Sequence, residues 1–169
     1  DLGVDDTLAR CRRTGVLAAR LRKVASRAAR MQRLTKVTRR AYCMQKPGLD
    51  AAATYGSSVV GLSNEQIQNL RRQAARLCPK YKARACLTTT LATTPGLSDP
   101  WVRLAGEIVK VWAQRVWRAD SLVSRMEEAW RWACSKVVGG KIGAAWARGP
   151  AATTLRTILD LGWEPRAAT

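Results

Sequence analysis

The sequence predicts an all-α protein, a helical bundle of about five to seven helices that form one body or two small lobes. Apolar residues recur at spacings of three and four in several segments, which is the period of an amphipathic helix. Glycine, proline and capping residues separate these segments, and patterns typical of strands are scarce. With 169 residues and 47% hydrophobic content, the chain is large enough to bury a core.

The N-terminal part predicts a long basic helix followed by two shorter ones. The first covers residues 16–40, with an apolar stripe on one side and arginine or lysine on the others. A small-residue helix is expected over residues 49–60, interrupted at Gly56. Ser63 has the features of an N-cap, and the helix that it begins covers residues 63–77.

The C-terminal part is rich in tryptophan, since all seven tryptophans lie from Trp101 onward. The preceding residues are threonine-rich and predict a loop with a short helix around residues 83–92. The letters "SDPW" open the next helix, with Asp99 as N-cap and Pro100 at the first helical position. Trp117 and Trp132 fall off the apolar stripes and are expected to be exposed. The predicted domains are a basic region 1–78, a threonine-rich linker 79–98 and a tryptophan-rich helical region 99–169.

The charge balance favours a polyanionic partner. Thirty basic residues against 12 acidic ones give a formal net charge of +18. Such an excess is self-repulsive unless it meets a polyanion. Nucleic acid is the leading candidate and an anionic membrane surface the second, beside a basic surface that is simply solvated. No apolar stretch is long enough for a membrane span.

Residue types and motifs that commonly act in catalysis are scarce in this sequence. Histidine is absent, which removes the commonest general base and metal ligand. The few carboxylates do not converge, no phosphate-binding glycine loop occurs, and the five cysteines are scattered without a paired motif. The sequence therefore predicts no catalytic residue, no metal site and no cofactor.

Several short motifs follow one another in a recognisable order: "LGV", an arginine-rich amphipathic helix, "YG" among small residues, and "LRRQAAR". In this order they resemble the region downstream of the catalytic palm in non-LTR (LINE-type) retrotransposon reverse transcriptases. The segments "DPWVRLAGEIVKVWAQRVW" and "GPAATTLRTILDLGW" are similar to the continuation in retroelement polymerases of some microbial eukaryotes. The resemblance covers nearly the whole chain.

The resemblance implies roles for particular residues. Residues 16–40 and 63–77 would form the thumb, which packs along the template–primer duplex. Tyr55 and Gly56 would match the family's Tyr-Gly pair, whose glycine lets two thumb helices approach closely. The turn near the primer grip would consist of Leu2, Gly3 and Val4.

The chain also departs from the family's pattern at two points. Family members often have an aromatic residue shortly after the Tyr-Gly pair, whereas this chain has Val59 and Val60. The catalytic aspartates of such polymerases lie upstream, and this chain has no matching aspartate motif. The chain thus resembles a non-catalytic part of an RNA-directed DNA polymerase whose remainder would lie upstream of Asp1, and the nucleus would be its location.

The expected partner under this interpretation is an RNA–DNA or RNA duplex, bound through its phosphates. Phosphate contacts are expected from Arg20, Arg27, Arg30, Arg33, Arg71, Arg72 and Arg76, while Tyr55, Gly56 and Ser63 would be structural. Two alternatives stay open. The chain could be a free-standing basic helical module for RNA or DNA, or a helical interaction protein whose basic face meets acidic protein or membrane lipid.

Overall fold

The computed structural model describes residues 14–38, 40–78, 81–82, 84–118, 122–138, 147 and 149–165. Within these ranges the regular structure is helical and contains no strand, so the predicted all-α class is confirmed. The α-helices are α1 Gly15–Leu34, α2 Ala51–Thr54, α3 Ser57–Val60, α4 Asn64–Ala75, α5 Leu87–Thr93, α6 Pro100–Trp117, α7 Val123–Val138 and α8 Gly149–Asp160. A 3₁₀ turn at Ala41–Met44 and a π-helical turn at Gln45–Asp50 precede α2.

Contacts between residues divide the chain into two units that interleave in sequence. The α1 unit comprises Gly15–Tyr55 and Asn64–Arg103. The described residues of the α7 unit are Thr14, Gly56–Ser63 and those that follow Arg103. The boundaries therefore fall after Thr14, between Tyr55 and Gly56, after Ser63, and inside α6.

This grouping differs from the three regions suggested by composition, 1–78, 79–98 and 99–169. The threonine-rich segment contains α5, which packs against α4. The short helix α3 packs against α8 although about ninety residues separate them, as in the hydrogen bond from Thr153 Oγ1 to the Val59 carbonyl. Composition along the chain does not reveal such distant partners.

The long basic helix α1 forms where predicted but ends at Leu34 rather than at residue 40. Beyond Leu34 the chain tightens, since the amides of Lys36 and Val37 donate to carbonyls three residues back. Thr35, Val37 and Thr38 are β-branched, which lowers their preference for helix. Leu34, the last residue of α1, is 47% exposed. The buried side chains of α1 are Leu17, Val24, Ala28 and Met31.

Two glycines with positive φ shape the segment around the Tyr-Gly pair. Gly56 has a φ of +71° before α3, and Gly61 has a φ of +68° after it. The predicted interruption at Gly56 is therefore confirmed, because this left-handed backbone separates α2 from α3. A Cβ at Gly61 would lie 3.5 Å from Thr153 Cγ2, so Gly61 is within ordinary contact distance of α8.

Helix α6 begins as the sequence predicts. Pro100 is its first residue, and Asp99 Oδ1 accepts a hydrogen bond from the Trp101 amide at 2.9 Å. This bond satisfies one of the free amides of the first helical turn. None of the described helices is both long and apolar enough to cross a membrane.

The described tryptophans of the α7 unit lie both in its core and at its surface. Trp112 and Trp130 stack with their ring centroids 5.5 Å apart. Trp117 and Trp132 are 89% and 50% exposed, which confirms their prediction from the helical period. The buried cluster that joins α7 to α8 consists of Trp130, Ala133, Ala151 and Leu155.

Candidate nucleic-acid interface

Helix α1 presents a row of positive charge on the side away from its buried stripe. Its 20 residues include no aspartate or glutamate. At about 3.6 residues per turn, five exposed basic side chains fall within an arc of about 140°. We call them the α1 basic face: Arg22, Lys23, Arg27, Arg30 and Arg33.

The charges of the α1 basic face are not neutralised within the described part of the chain. No ion pair joins any of its five side chains to a described carboxylate. The face extends about 16 Å from Arg22 to Arg33, at about 1.5 Å per residue. A nucleic-acid duplex carries a phosphate charge about every 1.7 Å of its axis, so several phosphates can meet such a row.

Arg20 lies on the same helix but has a different environment. Its Nη1 donates a hydrogen bond to the Tyr55 carbonyl, and its guanidinium carbon lies 5.1 Å from the centre of the Tyr55 ring. Arg20 therefore fixes the chain just before Gly56, in addition to any contact with phosphate. Tyr55 itself is 56% exposed and packs on Arg20 rather than in the core.

Arg71, one of the residues predicted to contact phosphate, has a carboxylate partner in its own unit. Its guanidinium donates from Nε and Nη2 to the Asp99 carboxylate at 3.0 and 2.8 Å, and from Nη2 to Thr88 Oγ1 at 2.8 Å. The side chains of Arg71 and Asp99 are each 13% exposed. Arg71 thus joins α4 to α5 and to the cap of α6, and we remove it from the residues expected to contact phosphate.

The remaining predicted residues divide between exposed and undescribed positions. Arg72 is exposed on α4 and donates to Asn69 Oδ1 at 3.2 Å, and Arg76 is exposed in the turn after α4. Ser63 directly precedes α4, as an N-cap would. The primer-grip-like residues Leu2, Gly3 and Val4 lie outside the described residues.

Asp50 is a buried carboxylate that sequence reasoning did not single out. Gln45, itself fully buried, donates from Nε2 to Asp50 Oδ2 at 3.2 Å and to the Ser98 carbonyl at 2.9 Å. Ser98 Oγ donates to Asp50 Oδ2 at 3.4 Å, and Arg103 Nη1 lies 3.7 Å from the same oxygen. Burial raises the pKa of Asp50 to about 6, against the lowering effects of Gln45, Arg103 and Ser98.

A raised carboxyl pKa often marks a functional site, but the surroundings of Asp50 favour a structural role. Asp50 is 3% exposed and its oxygens are engaged by side chains of its own unit. The network ties the π-helical turn to the segment that leads into α6. The described residues also contain no group of three or more metal-ligating side chains placed to hold an ion.

The Asp50 network makes stability depend on pH in a predictable direction. Because the pKa of Asp50 rises on folding from 3.8 to about 6, the folded chain binds the proton more tightly. Its contribution to stability falls as pH rises through this window. Relative to Asp50→Asn, the wild type should lose about 2 kcal/mol of unfolding free energy between pH 4 and pH 7. Urea unfolding of both proteins at four pH values measures this, and a difference that stays constant with pH contradicts it.

Sequence reasoning missed two features of this region. Arg22 and Lys23 share the face of Arg27 and Arg30, and the helical period would have included them in the site. The pairing of Arg71 with Asp99 carried no local signal, since 28 positions separate the two residues.

The comparisons with known proteins assign no relative to this chain. No family model matches it. No curated protein and no solved structure is significantly similar to it.

Proposed function

We propose that the chain binds nucleic-acid duplexes through their phosphates, with the α1 basic face as the principal contact. The observation that carries this proposal is a 20-residue helix with five exposed basic side chains, no acidic residue and no described ion pair on that face. A solvated helix face usually mixes both signs of charge along its length. A row of one sign fits a partner of the opposite sign.

Phosphate contact of this kind is independent of sequence. Arginine and lysine bind backbone oxygens, and the release of condensed counterions favours association. The α1 basic face ends before the tightened turn at residues 35–37, so its charges lie on a regular helix. Arg72 and Arg76 add positive charge on and just after α4.

We further propose that the chain is a non-catalytic, thumb-like part of a retroelement RNA-directed DNA polymerase. The order of its motifs supports this, as does a basic helix suited to a template–primer duplex. The sequence encoded upstream of Asp1 tests it: a palm with paired aspartates would support the proposal, and a nearby start codon without one would favour a free-standing module.

The binding proposal is tested by titrating the chain into fluorescently labelled RNA–DNA duplexes of two unrelated sequences. The two affinities should agree within about threefold, because phosphate contacts carry no base information. A strong preference for one sequence would contradict the assignment. Binding to anionic vesicles that persists against excess duplex would instead favour a membrane partner.

A further inference from the structure

A second surface with basic and aromatic side chains lies on the exposed side of α7. Four residues recur there at spacings of three and four, so they form one stripe along the helix. Ser124 and Arg131 complete a shallow depression beside it. We call this surface the α7 stripe: Arg125, Glu128, Trp132 and Lys136.

Trp132 is the unusual member of the stripe. Two residues away along the chain, Trp130 is 4% exposed in the core, whereas Trp132 points outward and is 50% exposed. Lys136 Nζ lies 5.6 Å from the centre of the Trp132 ring, one helical turn further on. A large aromatic ring is thus held at the surface with a positive charge over its face.

We propose that the α7 stripe, together with the neighbouring Arg131, binds single-stranded nucleic acid. A base stacks on Trp132 and displaces the Lys136 ammonium from the ring, and phosphates pair with Arg125, Arg131 and Lys136. Base stacking on exposed aromatic rings combined with a basic path is how single strands are held without sequence preference. This site belongs to the α7 unit and does not depend on the α1 basic face.

The positive charge of the α7 stripe and the exposed ring of Trp132 together favour a single strand over a duplex or an acidic peptide. The three cations have no ion-pair partner among the described residues, and Glu128 is the one acidic member of the stripe. The surface is therefore positive and suits an anion. A duplex keeps its bases stacked on one another, so it cannot use the indole, whereas a single strand offers free base faces. An acidic peptide would use the cations but gains nothing comparable from the ring.

The test measures binding of a short, labelled, mixed-sequence single strand to the full chain. Trp132→Ala should weaken binding at least about fivefold, and Trp132→Tyr should retain most of the affinity because it keeps an aromatic face. Trp163→Ala is the matched control, since Trp163 is 59% exposed and lies outside the α7 stripe. Equal losses for the two alanine variants, or no loss for Trp132→Ala, would overturn the proposal.

A charge variant provides a second test that leaves the aromatic ring in place. Glu128→Gln removes the negative charge from the α7 stripe and should strengthen single-strand binding about twofold or more. Glu127→Gln changes net charge equally on a different side of α7, so it should have the smaller effect. Equal effects of the two substitutions on single-strand binding would contradict a binding site at the α7 stripe. Duplex binding in the same variants should stay unchanged, which separates failure of this site from failure of the α1 basic face.

Discussion

Replacing Arg27, Arg30 and Arg33 together by Glu is expected to weaken binding to an RNA–DNA duplex by at least about a hundredfold at moderate salt. The variant removes three of the five cations of the α1 basic face and puts three negative charges in their place. All three side chains are exposed, and none forms an ion pair with a described carboxylate, so the fold should tolerate the change. Fluorescence anisotropy measures the affinity, and circular dichroism checks the helix content.

A matched variant separates the effect of position from that of total charge. Lys110, Arg115 and Arg118 are exposed basic residues on α6 or just after it. Their joint replacement by Glu changes the net charge by the same amount. We expect a much smaller loss of duplex affinity, since these residues are not part of the α1 basic face. If both triple variants lost affinity equally, the α1 basic face would not be the binding site.

Arg71→Ala is expected to destabilise the fold by about 3 kcal/mol without any role for nucleic acid. The substitution leaves the largely buried Asp99 without its bidentate partner, and unpaired buried charge is costly. Asp99 would still cap α6 through the Trp101 amide, so the loss falls on the packing of α4 and α5 against that cap. The urea midpoint of unfolding measures the effect.

Arg72→Ala is the control for this prediction, because the neighbouring side chain is exposed. Its unfolding free energy should lie within about 0.5 kcal/mol of the wild type. The two adjacent substitutions should thus have different effects. Arg71→Ala should lower the free energy of unfolding, whereas Arg72→Ala should lower only the duplex affinity. An Arg71→Ala variant as stable as the wild type would show that the ion pair contributes nothing.

Local features of the fold could be predicted because their causes are local. The stripe of α1, the cap at Asp99 and the exposure of Trp117 and Trp132 follow from helical period and capping chemistry within a few residues. The end of α1 at Leu34 could not be read from the stripe, since β-branched residues there override an otherwise continuous pattern.

Features that depend on distant partners could not be predicted from the sequence. The buried network of Gln45, Asp50 and Ser98 joins residues 53 positions apart, and nothing near Asp50 indicates a raised pKa. The ion pair of Arg71 could not be predicted for the same reason. Arg71 differs from Arg72 only in the side of α4 on which it lies. Helical period places both off the main stripe, but only the fold shows that Asp99 faces one of them.

The salt dependence of duplex binding is the most direct test of phosphate contact by the α1 basic face. Each neutralised phosphate contributes a slope of about −0.9 to the plot of log affinity against log salt concentration. If all five residues of the α1 basic face contact phosphate, the wild-type slope should be about −4 to −5, and the Arg27, Arg30 and Arg33 reversal should flatten it. A wild-type affinity that does not change with salt, or a slope that the reversal leaves intact, would contradict binding through the α1 basic face.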